Sequence, residues 1–195
     1  MDDVPMTLPL ATLGPGLAGA LVFAYLLGAI PFGLVMAKAI KGIDIRQIGS
    51  GNIGATNAMR ALGKPLGLVA FLLDWGKGYL AVFLFAGLTG LEDMLLAKTL
   101  CGALAVIGHC FPIYLGFKGG KGVATASGSI IAIDPWVFLA GGVIWLAALF
   151  TSRYVSVASI LMGITFPIVA FMHWGTQGWS FIAGCAALGI LILVR

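Results

Sequence analysis

At 195 residues, 61% hydrophobic and only 9% charged, with a mean hydropathy of +1.09, the chain lacks the polar surface of a water-soluble globule and is an integral membrane protein. Its net charge of +4 is small and scattered, which argues against nucleic acid as a partner. Cys101, Cys110 and Cys185 stand far apart in apolar surroundings, fit neither zinc spacing nor a secreted disulfide framework, and are expected to be small packing residues.

In chain order, the opening MDDVPM is acidic and lacks the basic start of a cleaved signal, so the first apolar run is expected to be retained. That run, residues 17–39, is long enough to cross a bilayer, since about 20 residues at ~1.5 Å rise cover a ~30 Å core. Residues 41–64 follow as the longest polar interval, with Lys41, Arg46, Arg60 and Lys64 against the single acid Asp44. The bias of basic residues puts this interval in the cytoplasm and Asp2 and Asp3 outside. Residues 66–90 form a second span that carries Asp74 and Lys77, and Glu92 and Asp93 mark an outer turn. Residues 95–114 return inward and deliver GHCFPIYLGFKGGKGVATAS, residues 108–127, to the same side as the 41–64 interval.

The apolar run 123–150 is interrupted at Asp134-Pro135. A hairpin there keeps the acid outside and Arg153 inside, although each arm is short for the hydrocarbon core. Residues 155–172 and 179–194 then cross out and back, with Trp174 and Trp179 suited to the outer interface. The expected architecture is all-α: one domain over residues 1–195, with seven transmembrane helices of unequal length. Its amino terminus lies outside and its carboxyl terminus in the cytoplasm. No soluble domain, low-complexity tract or strong internal repeat interrupts it, and its 29 glycines favour close helix packing in lipid.

Two constellations stand out from this apolar background. In GSGNIGATNAMRALG, residues 49–63, a helix starting near Ala55 places Thr56 and Arg60 at i and i+4 on one face, with Ser50 and Asn52 in the glycine-rich approach. Such an arrangement can offer hydroxyls, an amide, loop N–H groups and a planar guanidinium to one phosphate, and a capped helix with a solvated arginine has the same spacing. In the second, Lys118 and Lys121 flank Gly119 and Gly120, joining ammonium charge to backbone that an anion can approach. A nucleotide-hydrolysing P-loop is disfavoured, because it needs glycine where Leu115 stands and a hydroxyl where Gly122 stands.

His109, at the inner end of a span, offers a base, an acid or a hydrogen-bond donor. His173 falls outside and receives no catalytic role. Neither histidine is followed by an acid at the spacing of a paired His-Asp site. Asp74 and Lys77, at i and i+3, are too costly to bury apart and are expected to pair or to face a polar cavity. No serine or cysteine looks like an activated nucleophile, and no metal cluster or cofactor site is visible.

The blocks GSGNIGATNAMRALGKPLG, LLDWGKG, GHCFPIYLGFKGGKGVAT and SRYVSVAS resemble, in order over residues 26–159, the bacterial acyl-phosphate:glycerol-3-phosphate acyltransferases. The resemblance implies a multi-pass inner-membrane enzyme of phospholipid biosynthesis with its active site toward the cytoplasm. It implies acyl transfer from acyl phosphate to the 1-hydroxyl of glycerol 3-phosphate, giving lysophosphatidic acid and phosphate. Ser50, Asn52, Thr56, Asn57 and Arg60 match the family's first motif, and His109, Lys118, Gly119, Gly120 and Lys121 its second. A third motif of that family, a short basic segment with an asparagine and a glutamate after the last span, is not among these residues.

Among these motif residues, His109, Asn52 and Lys118 are expected to act in catalysis, and Ser50, Thr56, Asn57, Arg60, Gly119, Gly120 and Lys121 in substrate binding. On this reading Ser50, Arg60 and Lys121 hold glycerol 3-phosphate, while Lys118, Asn52 and the glycine N–H groups hold the donor phosphate or the developing oxyanion. The hydroxyl attacks directly, and either His109 or the departing phosphate takes its proton. Glycerol 3-phosphate, acyl phosphate and membrane lipid are the partners, with no cofactor, nucleic acid or obligate protein partner. A transporter for phosphate or an organic anion is the competing reading, supported by Asp74, Lys77 and the Asp134-Pro135 break. The clustering of polar groups at one membrane face favours the enzyme.

Overall fold

The computed structural model describes residues 15–194, and every regular element among them is helical. The expected outer amino-terminal segment with Asp2 and Asp3 lies outside the described residues. The first expected span is two helices, α1 (Pro15–Ala29) and α2 (Phe32–Lys41), bent by 41°. Pro31 causes the break: proline has no N–H to donate, and its ring drives the preceding Ile30 out of helical geometry. The carbonyl of Ile30 freed at the bend accepts a 2.7 Å hydrogen bond from Lys77 Nζ.

Short α3 (Ala55–Leu62) turns at Gly63, with φ of 92°, into the long α4 (Lys64–Phe85). Helix α5 (Met94–Cys110) starts at Asp93, whose carboxylate accepts the Leu96 N–H at 2.9 Å. Helices α6 (Val123–Ile133) and α7 (Pro135–Ser152) meet at Asp134, where the sequence predicts a break. Its carboxylate accepts the N–H groups of Trp136 and Val137 at 2.8 and 3.2 Å, and Pro135 occupies the first helical position, where no N–H is needed. Helices α8 (Val155–Trp174) and α9 (Trp179–Val194) are joined by the tight turn Gly175–Gly178 and fold back on each other, with Gly163 against Gly189.

Among the described residues, length and apolar character qualify four helical stretches to cross a bilayer: Lys64–Leu88, Met94–Leu115, Pro135–Ser152 and the run Val155–Val194, which doubles back on itself. The bent α1–α2 pair makes a fifth, while α6, with 11 residues, is too short to cross by itself. Glycine sets the helix spacing. A Cβ on Gly28 would strike the backbone of Ala105, and one on Gly108 the carbonyl of Tyr25, which closes α1 onto α5. Gly78 and Gly128 do the same for α4 and α6, against the carbonyls of Thr125 and Trp75.

At one end of the bundle the Asp134 carboxylate, 2% exposed, also accepts from Trp174 Nε1 at 2.7 Å and meets His173 Nδ1 at 2.7 Å. Burial pushes its pKa up, but the bonds from Trp174, Val137, His173 and Trp136 outweigh this and hold it below the usual 3.8. The turn between α6 and α7 is thereby clasped to the end of α8.

Candidate functional site

Residues 42–54 are held by side chains that bond to the loop's own backbone. Gly42 ends α2 in the left-handed conformation, and the Asp44 carboxylate accepts the Arg46 backbone N–H at 3.0 Å. The same carboxylate binds Arg46 Nε at 2.9 Å and Nη2 at 2.6 Å, and this hydrogen bonding lowers the Asp44 pKa to about 2. Lys41 Nζ donates to the carbonyl of Ala61 at 3.0 Å. Arg60, exposed on α3, forms no ion pair among the described residues.

Asn57 locks this loop from beneath. It is 1% exposed; its Nδ2 donates to the carbonyls of Ile45 and Asn52 at 2.8 and 2.9 Å, and its Oδ1 accepts the Ser50 N–H at 3.1 Å. Asn52 Oδ1 accepts the Gly54 N–H at 2.8 Å, shaping the approach to α3. Gly49 and Gly51, with φ of 58° and 70°, lift Ser50 into the open, and a Cβ on Gly49 would collide with Asn57 Oδ1. Ser50, Thr56 and Arg60 are therefore exposed, Asn52 is half-buried, and Asn57 acts through the backbone that it holds.

The second constellation is built against the end of α5. The Gly119 N–H donates to the carbonyl of Cys110 and the Gly120 N–H to that of His109, both at 3.1 Å, satisfying two carbonyls that the helix end leaves open. Gly120 lies on the imidazole of His109 so closely that any Cβ would overlap Nε2. Gly122, with φ of 80°, then starts α6 with no side-chain cap, so the first-turn N–H groups of α6 lie beside Lys121 without one. Lys118 and Lys121 are exposed and form no ion pair among the described residues.

Both constellations share a core. Leu115, just before the second, packs on the cluster that contains Ile53 and Leu62 of the first and Ile45 of the loop leading to it. Beneath them Asp74 and Lys77 pair at 2.8 Å, as their spacing predicts, with Lys77 also 5.7 Å from the Phe32 ring centroid. His109, 4% exposed, joins that pair: its Nδ1 is 3.7 Å from Asp74 Oδ1. Neither histidine has an acid at a paired spacing along the chain, yet both meet acids from other segments of the fold. The available signal was a carboxylate buried in an apolar span, which calls for more than one partner.

The glycine N–H groups expected to bind the donor phosphate have backbone partners in this fold. Those of Gly119 and Gly120 bond to the carbonyls of Cys110 and His109, and the N–H groups that open α6 have no side-chain cap. Among the described residues no cluster of three or more metal-ligating side chains occurs.

Comparison with known proteins gives consistent matches. A family model described as "Glycerol-3-phosphate acyltransferase" matches residues 18–195. A glycerol-3-phosphate acyltransferase of Dinoroseobacter shibae is 46% identical over 189 residues, covering 96% of this chain and 90% of the relative. One of Aquifex aeolicus is 44% identical over 176 residues, covering 89% and 88%. The structure is similar to a crystal structure of PlsY (YgiH), described as an integral membrane glycerol 3-phosphate acyltransferase, in its glycerol 3-phosphate form. The TM-score is 0.82 at 42% identity, over 91% of this chain and 86% of that one. The lysophosphatidic acid form of PlsY gives a TM-score of 0.80 at 41% identity, over the same shares of the two chains.

Proposed function

The chain belongs to the glycerol-3-phosphate acyltransferase family, and from that premise we propose that it transfers a fatty acyl group from acyl phosphate to the 1-hydroxyl of glycerol 3-phosphate. The observation that supports the site assignment is the packing of Leu115, just before Lys118, on the cluster that holds Ile53 and Leu62 of the Arg60 segment. Arg60 grips the glycerol 3-phosphate headgroup through its planar fork, aided by Ser50 and Lys121, with Thr56 one turn away on the same face. Asn57 keeps Ser50 in place from below. Lys118, Asn52 and the uncapped start of α6 receive the donor phosphate and the developing oxyanion, next to the Gly119-Gly120 turn.

Acyl phosphate is an activated mixed anhydride, so no covalent acyl-enzyme is needed. The substrate hydroxyl oxygen attacks the acyl carbonyl carbon, the bond from that carbon to the phosphate oxygen breaks, and phosphate leaves with the electron pair. The hydroxyl proton passes to the departing phosphate. The burial of His109 beneath Gly120 supports this acceptor and leaves the imidazole to shape the loop.

The chain crosses the inner membrane seven times, with the bent α1–α2 pair as one crossing and α6 as a short, shielded arm. The amino terminus is outside, the carboxyl terminus inside and the site faces the cytoplasm. The grouping of Arg60, Lys118 and Lys121 on one side of the chain path, with Asp93 and Asp134 at the opposite turns, supports this orientation.

The transporter reading draws on the broken α1–α2 helix and the buried Asp74–Lys77 pair. Those charges are already spent on each other and on the Ile30 carbonyl. Purified protein given acyl phosphate and labelled glycerol 3-phosphate should yield lysophosphatidic acid and phosphate without acyl carrier or coenzyme A. Flux across sealed vesicles without product would instead identify a transporter.

A further inference from the structure

A buried chain of contacts runs from the bend between α1 and α2 to the glycine-lysine turn. Lys77 Nζ holds the Ile30 carbonyl at 2.7 Å and the Asp74 carboxylate at 2.8 Å. The same carboxylate oxygen lies 3.7 Å from His109 Nδ1. The far edge of the imidazole, at Nε2, is covered by Gly120, and the Gly120 N–H is bonded to the His109 carbonyl. Lys77, Asp74 and His109 are 1%, 2% and 4% exposed on their side chains, so water does not compete for these contacts.

We propose that Asp74 is a positioning residue for the donor-phosphate side of the site, acting through His109 on the Gly119-Gly120 turn. At 3.7 Å the Asp74 carboxylate lies beyond hydrogen-bond length of Nδ1 and acts on it by charge, which favours a proton on that nitrogen and biases the orientation of the ring plane. That plane is the floor on which Gly120 rests, and no side chain at position 120 can compensate for a rotated ring, because a Cβ there would overlap it. Asp74 itself is held by Lys77, which is anchored where Pro31 breaks the first span. A shift of the ring is therefore passed to the turn carrying Lys118 and Lys121, while Ser50 and Arg60, held by Asn57, stay where they are.

This inference rests on the function proposed above, and its test separates the two. Asp74→Asn alone leaves a buried ammonium without its counter-charge and risks misfolding, so the working variant is Asp74→Asn with Lys77→Met. In the acyl-transfer assay this pair should raise KM for acyl phosphate roughly tenfold, the scale of losing a group that orients a histidine, with a clearly smaller rise in KM for glycerol 3-phosphate, because Lys121 moves with the turn while Ser50 and Arg60 stay in place. In a His109→Ala background the same pair should add almost nothing, because the path is already cut. Hydrogen exchange read over residues 117–122 should quicken in the double variant, while exchange over residues 42–54 stays as in the parent protein.

Effects that multiply independently in the His109→Ala background overturn the proposal, as does an equal rise of both KM values. Faster exchange across the whole chain overturns it too, since that marks a merely structural role. Were the parent protein to form no product, the functional reading would fall, and the exchange pattern would still decide whether Asp74 sets the turn.

Discussion

Arg46 and Arg60 share one basic interval, yet the fold uses them oppositely. Arg46 is consumed by Asp44 at 2.6 Å, while Arg60 has no ion pair among the described residues and leaves its fork exposed. Arg60→Lys keeps the charge and loses the paired donors, so it should raise KM for glycerol 3-phosphate roughly ten- to a hundredfold, the worth of a charge-assisted hydrogen bond. Arg46→Lys should leave that KM within about twofold, as befits an exposed pair. Steady-state kinetics of the two variants checks both, and equal effects would remove Arg60 from its role. Asn57→Ala strips the partner from the Ser50 N–H and from two loop carbonyls, so it should destabilise by about 1–3 kcal/mol and weaken glycerol 3-phosphate binding. Thermal unfolding with a substrate titration reads both. Sequence alone named Asn57 through its motif but placed it among the ligand-touching residues, since burial at 1% exposure arises only when Ile45 and Asn52 fold over it.

At the scale of elements, the contacts between helices rest on particular glycines. A Cβ at Gly128 would enter the space of the Trp75 carbonyl, whereas one at Gly142 on α7 meets nothing within 4 Å. Gly128→Leu should therefore unseat α6 from α4 and lower stability by more than about 1–3 kcal/mol. Gly142→Ala should be neutral or stabilising by up to about 1 kcal/mol from helix propensity. Thermal unfolding of the two purified variants in detergent decides, and a tolerated leucine at 128 would contradict the close approach. Glycine abundance pointed to tight packing, but only the paired geometry separates Gly128 from Gly142. Residues 17–39 were expected as one span, and the bend at Pro31 departs from that although a proline inside an apolar run is its local signal. What sequence did not show was that Lys77 would satisfy the carbonyl freed there, a partner on a helix far along the chain.

Over the whole molecule, the end of the bundle away from the basic loops is tied by Asp134, which caps α7 and holds Trp174 and His173 of α8. Asp134→Asn should cost about 1.5–3 kcal/mol of stability, the range for hydrogen bonds to a charged group, with kcat at saturating substrate unchanged. A lower melting temperature with intact turnover is the expected pair of readings. The carboxyl pKa is held below 3.8 in the folded protein, so its contribution is full above that pH and is lost as the pH falls below it. Stability of the parent protein should thus drop toward Asp134→Asn on acidification through this range, and a difference that persists at lower pH would count against the clasp. The sequence by itself determined the all-helical membrane architecture, the break at Asp134-Pro135 and the placing of cations beside glycines in two polar stretches. Each of these follows from hydropathy, local backbone chemistry and charge placement within a few residues. Only the tertiary structure decided which N–H groups remain uncapped, which arginine is spent, and that Asp74 of α4 meets His109 of α5. Those outcomes depend on which distant side chains the helix packing brings within hydrogen-bonding range, and no local spacing carries that information.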